Sequence, residues 1–173
     1  GNKKVTVSWD APSNDGGSEI TGYVITASPG GATEEVSGII SFVEMTGLSN
    51  GTQYTFTVKA KNLVGWSDIS QSGSVIPATT SGAPQISNLV AGNGKIAVTW
   101  VPPSDTGGLD IEEYEITTNP DNSTINVSGS TNTIDITGLT NGTSYTFTVR
   151  ANTIKPDGTL IYGDFSAPSA SIK

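Results

Sequence analysis

The sequence predicts an all-β protein, two antiparallel β-sandwiches in series, and three observations carry that prediction. The segment Thr46–Ala60 returns with few changes as Thr137–Ala151, so one unit is written twice. Apolar and polar residues alternate along each repeat with the period of a half-buried strand. Turn-forming pairs such as Asn50-Gly51, Asn93-Gly94 and Asn141-Gly142 punctuate the chain at short intervals, and no stretch shows sustained helical spacing.

The elements follow in order. Val5, Val7 and Trp9 face one way and Thr6 and Ser8 the other; Ile96, Val98 and Trp100 repeat this around Ala97 and Thr99. Shorter strands are expected at Tyr23–Ala27, Thr33–Val36, Phe42–Met45 and Ser67–Ile76, with equivalents at Tyr114–Thr118, Thr124–Val127, Thr133–Ile136 and Phe165–Ile172. The clearest pattern sets Tyr54, Phe56, Val58 and Ala60 against Thr55, Thr57 and Lys59, and recurs at Tyr145, Phe147, Val149 and Ala151. One face makes the core and the other meets water.

The paired residues Trp9/Trp100, Tyr23/Tyr114, Leu48/Leu139, Tyr54/Tyr145 and Ala60/Ala151 all lie 91 positions apart, which leaves no net insertion between them. Such a repeat is a whole domain rather than a solenoid unit. The expected division is residues 1–79 and 80–173, joined by a linker at Ala78–Pro84. Each half is large enough for one modest core.

Composition narrows the function. The 173 residues contain no Cys and no His, which removes disulfides, thiolate metal sites and the commonest general base and metal ligand. Eight Lys and Arg against sixteen Asp and Glu leave a net charge of −8, which repels a phosphate backbone and argues against nucleic acid. No apolar run reaches the roughly 20 residues that span a bilayer, so no direct membrane insertion is expected. The Thr, Ser, Asn and Gly content points to a surface-displayed or secreted β-protein.

These residues resemble tandem fibronectin type III domains, which are immunoglobulin-like sandwiches, of the style found in prokaryotic and viral surface proteins. The resemblance rests on Trp9 before Pro12 and Trp100 before Pro102-Pro103, on the Gly-Gly turns, on Tyr23 and Tyr114, and on Leu48 with Tyr54 and Leu139 with Tyr145. The last spacing is similar to the family's tyrosine corner, whose phenol bonds back to backbone near the preceding turn. The first repeat departs from the pattern. Its Gly1-Asn-Lys-Lys4 matches the turn Gly92-Asn-Gly-Lys95 that follows the first strand, Ala83–Val90, of the second repeat. The first repeat therefore lacks strand A, and an upstream segment is expected to supply it, since the neighbouring strand otherwise has an open edge.

Most candidate sites have a plain structural reading. The loops Asn14–Glu19 and Asp105–Asp110 hold oxygen ligands but fit no calcium-loop spacing and read as solvated turns. Glu34-Glu35 and Glu112-Glu113 are strand neighbours that point to opposite faces and cannot flank one bond, so they read as solubility charges. No catalytic residue, metal ligand or cofactor is assigned. Trp66, in the loop before the last strand, is either a contact residue or an indole folded over its own sandwich edge; with Asp15 and Glu19 it forms the candidate partner contact.

The longer loop of the second repeat, Asn152–Asp164, carries Ile154, Leu160, Ile161 and Tyr162. In the topology the resemblance implies, this loop faces the first repeat, so these four residues and Asn50 are the candidate interdomain contacts. Asn50, Asn122, Asn126 and Asn141 begin Asn-x-Ser/Thr sequons, which matter only in a glycosylating host, and no Arg-Gly-Asp triplet occurs.

The reading is a non-enzymatic extracellular spacer and interaction or adhesion module of a larger surface, secreted or virion protein. It is expected at the cell or virion surface, within a longer chain or assembly, with a protein or surface glycan as partner. The alternative is an accessory linker module of a secreted carbohydrate-active enzyme.

Overall fold

The computed structural model describes residues 1–173 and contains strands but no helices. It separates into two compact units, Gly1–Ala78 and Thr79–Lys173.

The first unit contains β1 (Val5–Ser8), β2 (Gly22–Ser28), β3 (Thr33–Ser37), β4 (Phe42–Met45), β5 (Thr55–Lys61) and β6 (Ser70–Gln71). They form a two-stranded sheet, β1-β4, and a four-stranded sheet, β3-β2-β5-β6. The second unit contains β7 (Gln85–Gly92), β8 (Lys95–Val101), β9 (Ile111–Asn119), β10 (Ser123–Ser128), β11 (Thr133–Thr137), β12 (Thr146–Ile154) and β13 (Leu160–Phe165). Its sheets are β11-β8-β7 and β10-β9-β12-β13. All pairings are antiparallel.

The alternation read from the sequence places the cores. In the second unit Val98, Trp100, Tyr114, Ile116, Phe147 and Val149 cluster at 1% exposure or less. In the first, Val7, Tyr23, Ile25, Met45, Leu48 and Phe56 form the equivalent cluster, with Trp9 and Val58 only partly buried against it. The Trp–Tyr ring pair recurs in both, with centroids 5.2 Å apart for Trp9–Tyr23 and for Trp100–Tyr114. The tyrosine corners also form: Tyr54 Oη accepts the Ser49 amide and Tyr145 Oη the Thr140 amide, each at 3.1 Å. Strand β7 has no counterpart in the first unit, where Gly1–Lys4 makes the turn instead and Lys3 takes the positive φ (54°) held by Gly94 (66°) in the second.

Three expectations need correction. The last strand of each unit is shorter than the alternation predicts. β6 is two residues, and Ser166–Lys173 holds only the bridge Tyr145–Ile172. The reason is chemical: serines interrupt the ladder. The amides of Phe56, Ala60, Phe147 and Val149 donate to the hydroxyls of Ser72, Ser67, Ser169 and Ser166, at 2.9–3.0 Å. Each hydroxyl in turn donates to the carbonyl of the next residue, at 2.7–2.9 Å, so the edge is satisfied by side chains rather than by a regular strand.

The segment 152–164 is a β-hairpin, not a loop. β12 runs through to Ile154 and pairs with β13, and Lys155–Thr159 closes the turn. The linker is also shorter than expected. From Thr79 the chain is built into the second unit: Thr79 N–H donates to Gly107 O, Gly82 N–H to Asp105 O, and the buried Ser81 hydroxyl to Ala151 O at 2.8 Å. A Cβ on Gly163 would run into the Ser81 hydroxyl and the Ala151 carbonyl, which explains glycine there.

Candidate contact site at one end of the first unit

Two loops of the first unit meet at one end: residues 9–21, between β1 and β2, and residues 62–69, between β5 and β6. Asn62 joins them. Its Nδ2 donates to Asp15 O at 2.6 Å and Ser18 O at 3.4 Å, while its Oδ1 accepts the amides of Val64 and Gly65 at 2.9 and 3.0 Å. One amide side chain thus satisfies both loops and sets their spacing.

The loop pinned this way presents apolar residues outward. Leu63 is 89% exposed, Val64 82% and Trp66 48%. The Trp66 indole is held from one side: Lys61 Nζ sits 5.1 Å from its ring centroid, and residues 61 and 66 make an isolated antiparallel bridge. The indole thus rests on the β5 edge with one side while about half of the residue reaches solvent. A cleft of about 340 Å³ runs beside it, lined by Pro12, Asp15, Ile20, Asn62, Val64 and Trp66.

The structure brings together two of the three residues expected to make the contact. Asp15 and Trp66 line the same cleft, whereas Glu19 is exposed and does not line it. The Asp15 carboxylate accepts the Gly17 amide at 2.8 Å in an Asx turn, and Asn14 does the same for Gly16 at 2.9 Å. No group of three or more Asp, Glu, His or Cys is placed to hold a metal ion.

The candidate interdomain residues have local partners. Leu160 and Ile161 pair in register with Ile154 and Thr153 along the hairpin, and Tyr162 pairs with Asn152. Tyr162 and Phe165 place their rings 4.5 and 4.6 Å from the Arg150 guanidinium, which also binds Glu115 at 2.7 Å. Glu113 is no idle solubility charge either, since it accepts the side-chain amides of Asn126 and Asn152 at 3.0–3.1 Å. Asn50 accepts the Lys3 amide at 2.8 Å and donates to Asn2, as Asn141 does with Gly94 and Asn93. Sequence reasoning missed Asn62 and Lys61 as the residues that set Trp66, although an Asn at a strand end followed by an apolar run and Gly is a usable signal.

The profile described as "Fibronectin type III domain" matches residues 1–76 and 82–160. Endoglucanase B of Cellulomonas fimi is 32% identical over 181 residues, covering 96% of this chain and 16% of its own length. Chitinase A1 of Niallia circulans is 30% identical over 158 residues, covering 85% of this chain and 21% of its own. A two-domain fibronectin type III segment of chicken tenascin covers 99% of the chain and is itself covered to 93%, with a TM-score of 0.46 and 19% identity. The chain thus spans about a fifth or less of the length of these two curated relatives. No helix is long and apolar enough to cross a membrane.

Proposed function

We propose, since this chain belongs to the fibronectin type III family, that it is a non-catalytic spacer and interaction module of a larger surface or secreted protein, making contact through the β5–β6 loop of its first unit. The observation that carries this reading is the outward display of Leu63, Val64 and Trp66 on a loop fixed by Asn62. Exposed aromatic and aliphatic residues on a positioned loop supply contact area at low ordering cost, and a half-exposed tryptophan is a frequent anchor. The apolar cluster suits a protein surface or the face of a sugar ring, and the net charge of −8 disfavours polyanions.

A second reading, an accessory module of a secreted carbohydrate-active enzyme, is favoured by the names of the two bacterial relatives. Retention assays separate the two. Binding to a cell-surface protein fraction, absent on insoluble cellulose and chitin, supports the first reading; retention on either polysaccharide supports the second. No retention on any of the three reduces the role to spacing alone.

A further inference from the structure

The internal repeat sets two edge strands side by side for comparison. β3 and β10 each end a four-stranded sheet and pair with a single neighbour, β2 and β9. Shifted by 91 residues, Thr33-Glu-Glu-Val-Ser37 becomes Thr124-Ile-Asn-Val-Ser128, so the two edges differ only where Glu34 and Glu35 give way to Ile125 and Asn126. Glu34 lies opposite the fully buried Ile25, and Ile125 opposite the fully buried Ile116, so both occupy core-facing positions of their strands. A carboxylate in that place guards β3 against pairing with another chain. β10 has no such guard, since residues 122–134 carry no charge.

The backbone of β10 offers its free edge in a definite phase. Gly129 N–H donates to Glu112 O at 2.8 Å, and the antiparallel alternation therefore turns the N–H and C=O groups of Thr124, Asn126 and Ser128 away from β9. The Ser128 carbonyl already accepts the Thr131 N–H at 2.8 Å. Ile125 and Val127 are partly buried against the core, while Asn126, on the other face, donates to both Glu113 oxygens at 3.1 Å. About Asn126 the strand is a palindrome in chemical type: hydroxyl, aliphatic, amide, aliphatic, hydroxyl.

We infer that β10 is a self-recognition edge, which pairs antiparallel with β10 of a second copy of this chain about a two-fold axis at Asn126. In that register Asn126 exchanges both backbone hydrogen bonds with Asn126 of the second copy, and Ser128 N–H meets its Thr124 C=O. Ile125 then lies across from Val127 at a non-hydrogen-bonded position, where side chains approach most closely. The same register on β3 would set Glu35 against Glu35 and Glu34 against Val36, which like-charge repulsion and carboxylate burial oppose. The net charge of −8 on each copy works against association, so the pairing strengthens as salt screens it. This edge is separate from the Trp66 loop contact and does not depend on it.

The test is sedimentation velocity of the intact chain from micromolar to millimolar concentration, at low and at moderate salt. The weight-average mass should rise toward twice that of one chain, and at lower concentration when salt is added. Ile125→Glu combined with Asn126→Glu writes the β3 sequence into β10, an edge with which the first unit already folds, and this variant should stay folded and monomeric. A second measurement needs no variant. Amide hydrogen exchange should slow with concentration at Thr124, Asn126 and Ser128 but not at Ile125 or Val127, which β9 already holds. The inference is overturned by a chain that remains monomeric at millimolar concentration, by equal association of the Glu-bearing variant, by concentration-dependent protection outside β10, or by a glycan on Asn126 in protein from the source organism.

Discussion

The Tyr54 hydroxyl accepts the Ser49 amide at 3.1 Å, five residues upstream across the Asn50-Gly51 turn. Tyr54 is 7% exposed, so the bond ties a turn to the core from inside. Tyr54→Phe keeps the ring and removes the acceptor, and it should cost about 1 kcal/mol in the first unit. Calorimetry should show the first unit's transition lowered and the second's unchanged, with Tyr145→Phe doing the reverse.

Tyr114 presents the opposite case. Its hydroxyl and the Trp100 indole nitrogen are both buried without a partner in hydrogen-bond geometry. Burial pushes the Tyr114 phenol above its ordinary value, and Trp100 pulls it only partway back. The unfolded chain therefore loses this proton at lower pH than the folded one. The stabilising contribution is full below the unfolded value near pH 10 and is lost as pH rises through the folded value. Tyr114→Phe should be neutral or slightly stabilising at pH 7 and should flatten the alkaline decline of the second unit, as read from urea midpoints between about pH 8 and 11.

Arg150 is clamped between Tyr162 and Phe165 and ion-paired to Glu115, whose side chain is only 13% exposed. Arg150→Ala should cost about 2 kcal/mol, because it removes two cation–π contacts and leaves a partly buried carboxylate unpaired. The Lys95–Asp135 pair is about half exposed on both sides. Lys95→Ala should cost no more than about 0.5 kcal/mol and fade with salt. Chemical denaturation of the two variants at low and high ionic strength checks the contrast.

Gly163→Ala should destabilise the second unit by about 1–3 kcal/mol, since the new methyl meets the Ser81 hydroxyl and the Ala151 carbonyl. Hydrogen exchange should show faster exchange at the amides of Thr79, Gly82 and Asp164, which are bonded through this segment. An unaltered exchange pattern would mean that residues 79–82 are not fastened as described.

Much of this was legible because the strands of a half-buried sheet advertise themselves by alternation. The core positions from Val7 through Val149 followed from period, and both tyrosine corners from the family resemblance. What escaped was chemistry without a period. Ser67, Ser72, Ser166 and Ser169 look like ordinary polar residues of a last strand, yet their hydroxyls replace its ladder. Ser81 lies in a stretch that reads as a linker by composition but is fully buried. The hairpin at 152–164 carried a visible Pro156-Asp157-Gly158 turn between apolar residues, but the partner of Tyr162 depends on cross-strand register that no local pattern encodes. At the candidate contact, Trp66 and Asp15 were legible as a loop aromatic and a turn acid, whereas Asn62, which joins them, acts through distances that only the fold supplies.

The central claim, that the first unit makes contact through its β5–β6 loop, is tested most directly by a binding isotherm of the intact chain and its Trp66→Ala variant on the surface-protein fraction of the source organism. The account expects saturable binding that weakens at least about tenfold in the variant, as for an anchoring aromatic, with an unchanged unfolding midpoint. Equal binding by both proteins, or no saturable binding by either, would contradict it.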